Sequence, residues 1–372
     1  MKKVAKLSES ERRELFQATA VSMGMQSSVI EKDFWVCFML DHLFNDCKYK
    51  NAFVFKGGTS LSKAYHVIER FSEDIDLILD WRKIISEEVD PWEERSKTKQ
   101  DSFNKQLNAS AGTFYAAELV PQLNKELSEK LGVAEWVSVD AQDEMVLNFY
   151  YPQLFEIEYL RACVRLEIGP LAEWMPSHVT NIASFAAMKY PNIFEQKDTN
   201  VLTIDVERTF WEKITILHKI AHFPENKPFP SRYARHLYDV YNLGHSWVKE
   251  NAFKKKDLLE KDVAFKQKFY YSKGAHYETA TLESVVLVPC EGVMKSLAED
   301  YAAMKNMIYG EIPKFEEVLT YLETLQEEIR ELSMKEKREQ TLQLRAKVLQ
   351  AEQERINGAK TLSIEEARKK LD

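Results

Sequence analysis

Apolar positions in the first ninety residues change from helical spacing to short strands and back. A Ser-x-x-Glu capping box at 28–31 predicts a helix start. Apolar residues follow it at helical spacing: Phe34, Trp35, Phe38, Met39 and Leu43. Residues 52–55 and 74–79 are short apolar runs typical of strands, and the apolar positions from Leu61 to Ile68 between them have the helical period. The predicted order is strand, glycine pair, helix, strand.

The middle of the chain predicts a loop, a helix and several strands. Residues 81–110 are polar, and we expect a loop there. A helix follows at about 112–131, and residues 134–168 contain pieces typical of strands. The clearest strand is 160–168, where apolar residues alternate with Arg161, Cys163, Arg165 and Glu167, so one face is apolar and the other charged.

From about residue 181 the spacing is mainly helical. Helices are predicted at 210–221, 231–243 and 294–308. From 331 the chain is rich in Lys, Arg, Glu and Gln, with Leu342, Leu349 and Ile356 at heptad spacing, and a capping box at 363–366 predicts a last short helix. We expect domains at 1–180 and 181–330 and a charged helical tail at 331–372. The tail could be a docking arm, although three heptad positions are too few for a coiled coil.

Composition narrows the class of protein. The 372 residues include only 11 Gly and 11 Pro, which favours a helix-rich chain over a sandwich or a propeller. A net charge of −8 excludes a uniformly basic nucleic-acid coat but allows a local basic patch. No apolar run is long enough for a membrane span, and no secretory signal is present. The four cysteines lack zinc or disulfide spacing, so we expect a cytoplasmic protein.

Gly57-Gly58 is the one adjacent glycine pair in the sequence, and it separates a predicted strand from a predicted helix. Bare backbone N–H groups at such a turn suit an anion such as a triphosphate. Thr59 or Ser60 can cap that helix and could also contact phosphate oxygens. Neither the Walker A pattern nor the Rossmann fingerprint is present.

Asp74 and Asp76 lie two residues apart on a predicted strand, so their carboxylates share one side. Their mutual repulsion needs a neutralising group, and divalent cations that also bind phosphate oxygens provide one. The alternative is a solvent-facing pair on an edge strand; the compact order of glycine pair, helix and acids favours the metal. Asp205 and Glu207 have the same spacing without a glycine turn, and we interpret them as a helix cap or first-turn acids.

Residues 56–79, KGGTSLSKAYHVIERFSEDIDLIL, resemble the nucleotidyltransferase motif of the AbiEii/AbiGii toxin family, in the DNA polymerase β-like superfamily. Segments 31–36, 207–219, 235–243 and 299–310 resemble further helices of that family, and the resemblance covers about 8–330. It implies an α+β fold, with a small mixed-sheet polymerase β-like core, a mainly helical C-terminal domain and a helical tail.

The resemblance also implies roles for individual residues. Glu167 is our choice for a third carboxylate that binds metal with Asp74 and Asp76 and serves as base for the attacking hydroxyl. The weaker choices are Asp140, Glu158 and Glu173, and the alternative for Glu167 is a surface pair with Arg165 or Arg161. Lys213 and Arg235 would contact the nucleotide with Gly57, Gly58, Thr59 and Ser60. Asp239 would be a second essential acid that positions Lys213 or the nucleotide; Lys213 could instead be a surface lysine.

The implied function is that of a toxin in a toxin–antitoxin or phage-defence system. It would use Mg²⁺ or Mn²⁺ to move a nucleoside monophosphate from an NTP to RNA, at the tRNA 3′ end, and so block translation. The alternatives are transfer to a protein hydroxyl, as in AMPylation, and a nucleotide-binding regulator without turnover. The expected partners are the NTP, the RNA acceptor and an antitoxin from a neighbouring gene, with no membrane.

Two further patterns leave their interpretation open. His218 and His222 are one helical turn apart, a spacing that could hold zinc, but no third ligand is apparent. Residues 253–271 alternate lysines with aromatic residues, which could bind an RNA backbone and stack an unpaired end. A solvated helix with a buried aromatic stripe explains the same pattern.

Overall fold

The structure, a computed structural model, describes residues 1–85, 89–156, 161–170, 176–224 and 227–358. These residues form an α+β fold with one mixed sheet. The strands are β1 Phe53–Lys56, β2 Asp74–Leu79, β3 Val137–Val139, β4 Val146–Phe149, β5 Val164–Gly169, β6 Ser177–Ala183 and β7 Asp198–Ile204. The helices are α1 Lys2–Ala5, α2 Glu9–Met23, α3 Ser27–Asp41, α4 Gly57–Lys63, α5 Lys97–Phe114, α6 Val120–Leu131, α7 Phe185–Lys189, α8 Val206–Ala221, α9 Ala234–His245, α10 Val248–Lys254, α11 Asp257–Phe269, α12 Glu291–Met304 and α13 Phe315–Ile356.

The sheet places strands from distant parts of the chain side by side, in the order β3-β4-β5-β2-β1-β7-β6. β2 is parallel to β5 and antiparallel to β1, and β1 is parallel to β7. In this register Asp76 is opposite Glu167 on one neighbouring strand and Lys56 on the other. β2 is therefore a central strand, and the interpretation of its two aspartates as an edge-strand pair is wrong.

Alternation along the central strands gives the sheet two unlike faces. The core face packs against the N-terminal helices and carries apolar side chains: Phe53, Phe55, Ile75, Leu77, Leu79, Leu166 and Ile168. The opposite face, which we call the cavity face, carries Lys56, Asp74, Asp76, Ile78 and Glu167. Helices α8 to α13 form most of a second core, to which Leu61 and Ile68 also contribute. Residues of α8 and α9 line the carboxylate cavity together with the cavity face.

The capping box predicted at 28–31 is wrong. Helix α3 begins at Ser27, and its N-cap is Gln26, two residues before the predicted N-cap Ser28; Gln26 makes no side-chain capping bond. Glu31 is instead fully buried, and its carboxylate accepts hydrogen bonds from the backbone N–H groups of Leu154 and Phe155 at 2.8 and 3.2 Å. A long-range contact therefore determines the role of Glu31.

Two other local predictions in the first third differ from the structure. The helix after the glycine pair ends at Lys63, although the apolar positions continue to Ile68. Ile68 is buried in the second core, but it lies in an irregular segment and not in the helix. The expected loop at 81–110 contains most of α5, which begins at Lys97 after the capping residue Ser96. Its apolar stripe is confined to one side and reaches the core late, at Ala111 and Phe114.

The sheet continues beyond residue 180, where the sequence predicts helices. Strand β6 includes residue 180 itself, and β7 pairs with β1 inside the sheet. The polar composition of β6 fits its place at the edge of the sheet. We therefore propose a division near residue 205, between β7 and α8, instead of residue 180.

The segment after 331 continues helix α13 without a break as far as Ile356. The first half of α13 is packed in the second core, while Leu342, Leu349 and Ile356 are 62, 70 and 66% exposed. The capping box at 363–366 lies outside the described residues. No helix in the described ranges combines the length and the apolar character that a membrane crossing requires.

Candidate active site

Three carboxylates stand side by side on the cavity face. Asp74 and Asp76 come from β2, and Glu167 comes from the adjacent β5, directly opposite Asp76. All three line one cavity of about 140 Å³, which we call the carboxylate cavity. Asp74 is 8% exposed, and its Oδ1 atom is buried without a hydrogen-bond partner among the described residues. A buried carboxylate oxygen that lacks a donor is a candidate ligand for a cation.

The electrostatics of this face also favour a cation. Burial, followed by repulsion from Glu73 and Asp76, raises the pKa of Asp74. Burial and then Asp76 and Asp74 raise the pKa of Glu167 to about 7. The side chain of Glu167 is 39% exposed, and its nearest cation, Arg165, is 3.7 Å away. Negative charge is thus left without full compensation.

The fit to a metal rests on these two observations. Within the described ranges, no group of three or more His, Cys, Asp or Glu side chains is arranged to hold a metal ion by itself. A divalent cation would complete the set with phosphate oxygens of a bound substrate, which is how Mg²⁺ is commonly held with one or two carboxylates. The cavity face therefore fits a cation that arrives together with a nucleotide.

The glycine pair is required by close contacts from neighbouring side chains. Gly57 has φ of +79°, and a Cβ atom there would collide with the Asp76 carboxylate. A Cβ on Gly58 would lie 2.6 Å from a guanidinium nitrogen of Arg70. Both glycines line the carboxylate cavity. Arg70, Lys213 and Arg235 line the same cavity and supply positive charge for an anion.

Thr59 and Ser60, expected to contact phosphate, face the protein interior. Both are buried, and neither lines the carboxylate cavity. The Thr59 hydroxyl donates to the backbone carbonyl of Asp74, and the Ser60 hydroxyl donates to that of Gly57 at 2.8 Å. The Thr59 hydroxyl therefore holds α4 against the start of β2, whereas the Ser60 hydroxyl bonds within the first turn of α4.

Lys213 lies in the cavity wall with a fully buried carboxylate behind it. Its Nζ is 2.9 Å from Asp239 Oδ2 and 3.1 Å from His236 Nδ1. Arg70 donates to both oxygens of Asp239, at 2.7 and 2.8 Å. Burial alone would raise the pKa of Asp239, but Arg70 and Lys213 hold it well below its usual range. Asp239 is therefore held in its ionised form, and a carboxylate with so low a pKa is unsuited to act as a base.

A second buried carboxylate positions the start of β2. Glu73 binds Lys32 of α3 at 2.8 Å and Arg232 at 2.6 Å. It also accepts the backbone N–H of Arg161 at 3.1 Å. Since Glu73 immediately precedes Asp74, these contacts connect both halves of the chain to β2.

Sequence reasoning missed Arg70 and Glu73. The available signal was an arginine and a third acid between the glycine pair and the Asp-x-Asp motif. Local spacing could not identify them, because their partners Asp239 and Arg232 lie in the helical half. Arg235, which was expected at the site, lines the carboxylate cavity without an ion pair to any described residue.

A larger cavity of about 630 Å³ adjoins the first and shares Lys56, Glu212, Ile216, Arg235 and His236 with it. We call it the tyrosine cavity. Its aromatic lining is Tyr233, Phe265, Tyr270, Tyr271 and Tyr277. In the basic and aromatic run at 253–271, Phe265 and Phe269 are buried, whereas Tyr270 and Tyr271 are 47 and 54% exposed. The buried aromatic stripe is thus found at Phe265 and Phe269, whereas RNA binding by Tyr270 and Tyr271 stays a prediction.

The other candidate residues lie outside the carboxylate cavity. Asp140 accepts hydrogen bonds from Asn148 and Gln142, and Glu158 and Glu173 lie outside the described residues. Asp205 occupies the N-cap position of α8 but binds His178 and Lys255 instead of capping. The His218 ring contacts the backbone of His276 and Val286, and among the described residues no histidine group forms a metal site.

One family model matches the sequence over residues 39–354, under the description "Nucleotidyl transferase AbiEii toxin, Type IV TA system". Among solved structures, the chain is similar to MenT4, a nucleotidyltransferase toxin from Mycobacterium tuberculosis H37Rv, at 16% identity and a TM-score of 0.45, over 86% of this chain and 99% of that one. It is also similar to JHP933 from Helicobacter pylori, at 13% identity and a TM-score of 0.40, with the same coverage. No curated protein matches the chain.

Proposed function

Because this chain belongs to the AbiEii family of nucleotidyltransferase toxins from type IV toxin–antitoxin systems, we propose that it moves a nucleoside monophosphate from an NTP to the 3′ end of tRNA. That modification would block translation, and a cognate antitoxin would neutralise it in the cytoplasm. The observation that carries the proposal is the carboxylate cavity, where three acids of one sheet face meet Lys213 and Arg235. This combination suits an anionic substrate that brings its own cation.

The cation would be Mg²⁺, with Mn²⁺ as the alternative. Asp74 and Asp76 would hold it with help from Glu167, and it would neutralise charge on the transferred phosphoryl group. Asp74 is the strongest candidate ligand, because its buried Oδ1 has no donor among the described residues.

The side chains of this protein would bind the phosphates and move the proton. Lys213 and Arg235 face the cavity as donors to the phosphate oxygens, and Asp239 keeps Lys213 in place. The acceptor hydroxyl would form a bond to the α-phosphorus while the bond to pyrophosphate breaks. Glu167 would accept the hydroxyl proton, and a pKa of about 7 suits it to that task at neutral pH.

An RNA acceptor is supported by the adjoining tyrosine cavity, which combines aromatic rings with cations. A protein hydroxyl, as in AMPylation, would have no use for these rings. A regulator without turnover would not need the uncompensated charge of Asp74 and Glu167, which is costly to maintain.

The test is transfer of label from each α-labelled NTP, with Mg²⁺ and total tRNA. The wild type should label RNA and thereby identify the preferred base. Asp74→Asn/Asp76→Asn should lose more than the roughly 10–100-fold that outer-shell residues of metal sites contribute. Asp205→Asn/Glu207→Gln is the matched control, since it has the same spacing but lies outside the cavity.

Other outcomes would change the proposal. Label on a protein band would replace the RNA acceptor with a protein hydroxyl. Tight NTP binding without label on any acceptor would favour the regulator. Equal labelling by the wild type and the Asp74/Asp76 variant would remove these acids from the reaction.

A further inference from the structure

The tyrosine cavity has the shape and lining of a subsite for a flat, partly exposed group. Tyr270 and Tyr271 stand at its rim, and the apolar floor includes Ile78 and Ile204 from the cavity face of the sheet. The Tyr270 ring packs on the buried ring of Phe265, at 5.6 Å between centroids, which holds it in place. Rings with one supported side and an open edge are typical platforms for stacking a base.

The charge of this cavity is opposite to that of the whole molecule. Five cationic side chains line it, against two carboxylates, in a chain with a net charge of −8. The two carboxylates, Glu212 and Asp262, are already engaged by Lys56, Arg208 and Lys266. Lys219 and Arg235 have no ion-pair partner in the described part of the chain. These two are therefore available for phosphates.

The position of Tyr270 places the tyrosine cavity near β5, the strand that carries Glu167. Its hydroxyl lies 3.8 Å from the point where a Gly169 side chain would begin. Gly169 is two residues after Glu167 on β5, so both point to the cavity face. Tyr270 therefore stands over the β5 position two residues from Glu167, the acid that would receive the proton of the attacking hydroxyl. Arg70, Ser72 and Gly58 line the carboxylate cavity but not the tyrosine cavity.

We propose that the tyrosine cavity binds the unpaired terminal nucleotide of the acceptor strand. Its base stacks on Tyr270 and Tyr271, and its backbone phosphate contacts Lys219 and Arg235. The assignment rests on the proposed function for the role of Glu167, and it adds a requirement: the acceptor must present a single-stranded end. The incoming NTP base is the other possible source of a stacked nucleotide.

The test separates binding from transfer. Fluorescence anisotropy with the full chain would measure the affinity for a short labelled single-stranded RNA with a 3′-deoxy end, without NTP. Tyr270→Ala and Tyr271→Ala should each weaken binding about 5- to 150-fold. Tyr271→Phe should retain the wild-type affinity, because the ring remains. Tyr150→Ala is the matched control, since Tyr150 is 44% exposed and lies outside the cavity.

A second arm measures a non-hydrolysable NTP analogue with Mg²⁺. Its affinity should be unchanged in both alanine variants, and a blunt hairpin should compete poorly with the single-stranded RNA. An unchanged RNA affinity in the alanine variants, or a wild type that binds no RNA, would overturn the assignment. A loss confined to the NTP analogue would overturn it too, by assigning the cavity to the incoming base.

The binding and transfer measurements together distinguish a failure of the subsite assignment from a failure of the proposed function. If the wild type binds RNA through Tyr270 but transfers no label, the subsite stands and the proposed reaction fails. If it transfers label and the tyrosine variants bind RNA normally, the reaction stands and the subsite assignment fails.

Discussion

Single residues of the carboxylate cavity are constrained by their neighbours as much as by their own chemistry. Asp76 occupies the space that a side chain at Gly57 would need. Glu167 is directly opposite Asp76 on the neighbouring strand. A change at either place therefore alters the negative charge that a cation would meet.

Divalent cation binding should strengthen as the pH rises through about 7. Burial, Asp76 and Asp74 raise the pKa of Glu167 to about 7, so below that pH its carboxyl is mostly protonated and cannot bind metal. Calorimetric titration with Mn²⁺ at pH 6 and 8 would measure the change, up to about tenfold per pH unit below the pKa. Glu167→Gln should weaken this dependence, while Asp140→Asn should preserve it. Identical pH dependence in Glu167→Gln and the wild type would exclude Glu167 as a ligand.

Gly57→Ala should abolish transfer, whereas Gly24→Ala should not. Both glycines have positive φ, +79° and +65°, so alanine costs each about 1–2 kcal/mol of folding free energy. Only at Gly57 does the new methyl group displace the Asp76 carboxylate, since Gly24 has nothing within 4 Å. Denaturant unfolding and label transfer would be measured together. Normal transfer by folded Gly57→Ala would contradict the close approach described here.

At the scale of elements, buried ion pairs connect the two halves of the chain. Arg70 comes from the segment before β2, Asp239 from α9 and Lys213 from α8, and the three side chains meet in one buried cluster. Glu73 makes the corresponding connection from α3 to Arg232. Arg70 and Lys213 of the first connection also line the carboxylate cavity.

Asp239→Ala should destabilise the fold by about 3–5 kcal/mol, because it leaves two buried cations without their partner. It should also lower transfer per folded molecule, since Lys213 loses its position. Asp33→Ala is the matched control: Asp33 is fully buried against Lys63 but lies outside the cavity. It should lose stability yet keep transfer per folded molecule, measured by unfolding and by KM and kcat for the NTP. Lost activity at unchanged stability in Asp239→Ala would point to a direct catalytic role.

At the scale of the whole molecule, the second half of α13 extends from the body. Val318, Leu322, Leu325 and Ile329 are buried in the second core, and Ser333 still contacts Glu283. Beyond Arg338 the described side chains are exposed. Truncation after Arg338 should therefore preserve the fold, whereas truncation before α13 should not.

A chain that ends at Arg338 should keep the wild-type free energy of unfolding and transfer activity. A chain that ends at Lys314 should fail to fold, because the second core loses α13. Denaturant unfolding, label transfer and light scattering would check both. If the chain that ends at Arg338 differs from the wild type in oligomeric state, the segment after Arg338 has a docking role.

Binding of single-stranded RNA should depend only modestly on salt. Lys219 and Arg235, with help from Lys56, whose contact with Glu212 is long at 3.6 Å, can neutralise two or three phosphates in a chain whose net charge is −8. The slope of log affinity against log salt should be about −1.5 to −2, since each phosphate on a single strand contributes roughly −0.7. Anisotropy titrations over a salt series would measure it. A much steeper slope would require a basic surface elsewhere.

The sequence predicted those features that depend on neighbours in the chain. The strands at 53–56 and 74–79, the intervening glycine pair and the helices α8 and α9 follow from apolar spacing and turn residues within a few positions. The shared side of Asp74 and Asp76 follows from the two-residue period of a strand. The match of the motifs to a nucleotidyltransferase family also depended on short segments, and the family model confirmed it.

The tertiary structure decided everything that requires distant segments to meet. Strand pairing placed Glu167 beside Asp76 and made β7 a partner of β1. Burial gave Glu31 and Asp239 their roles and took Thr59 and Ser60 out of the cavity. The polar helix α5 and the edge strand β6 carry weak local patterns, because each is held mainly by contacts with other elements. Local spacing records backbone preference, whereas burial and charge compensation depend on partners that only the folded chain supplies.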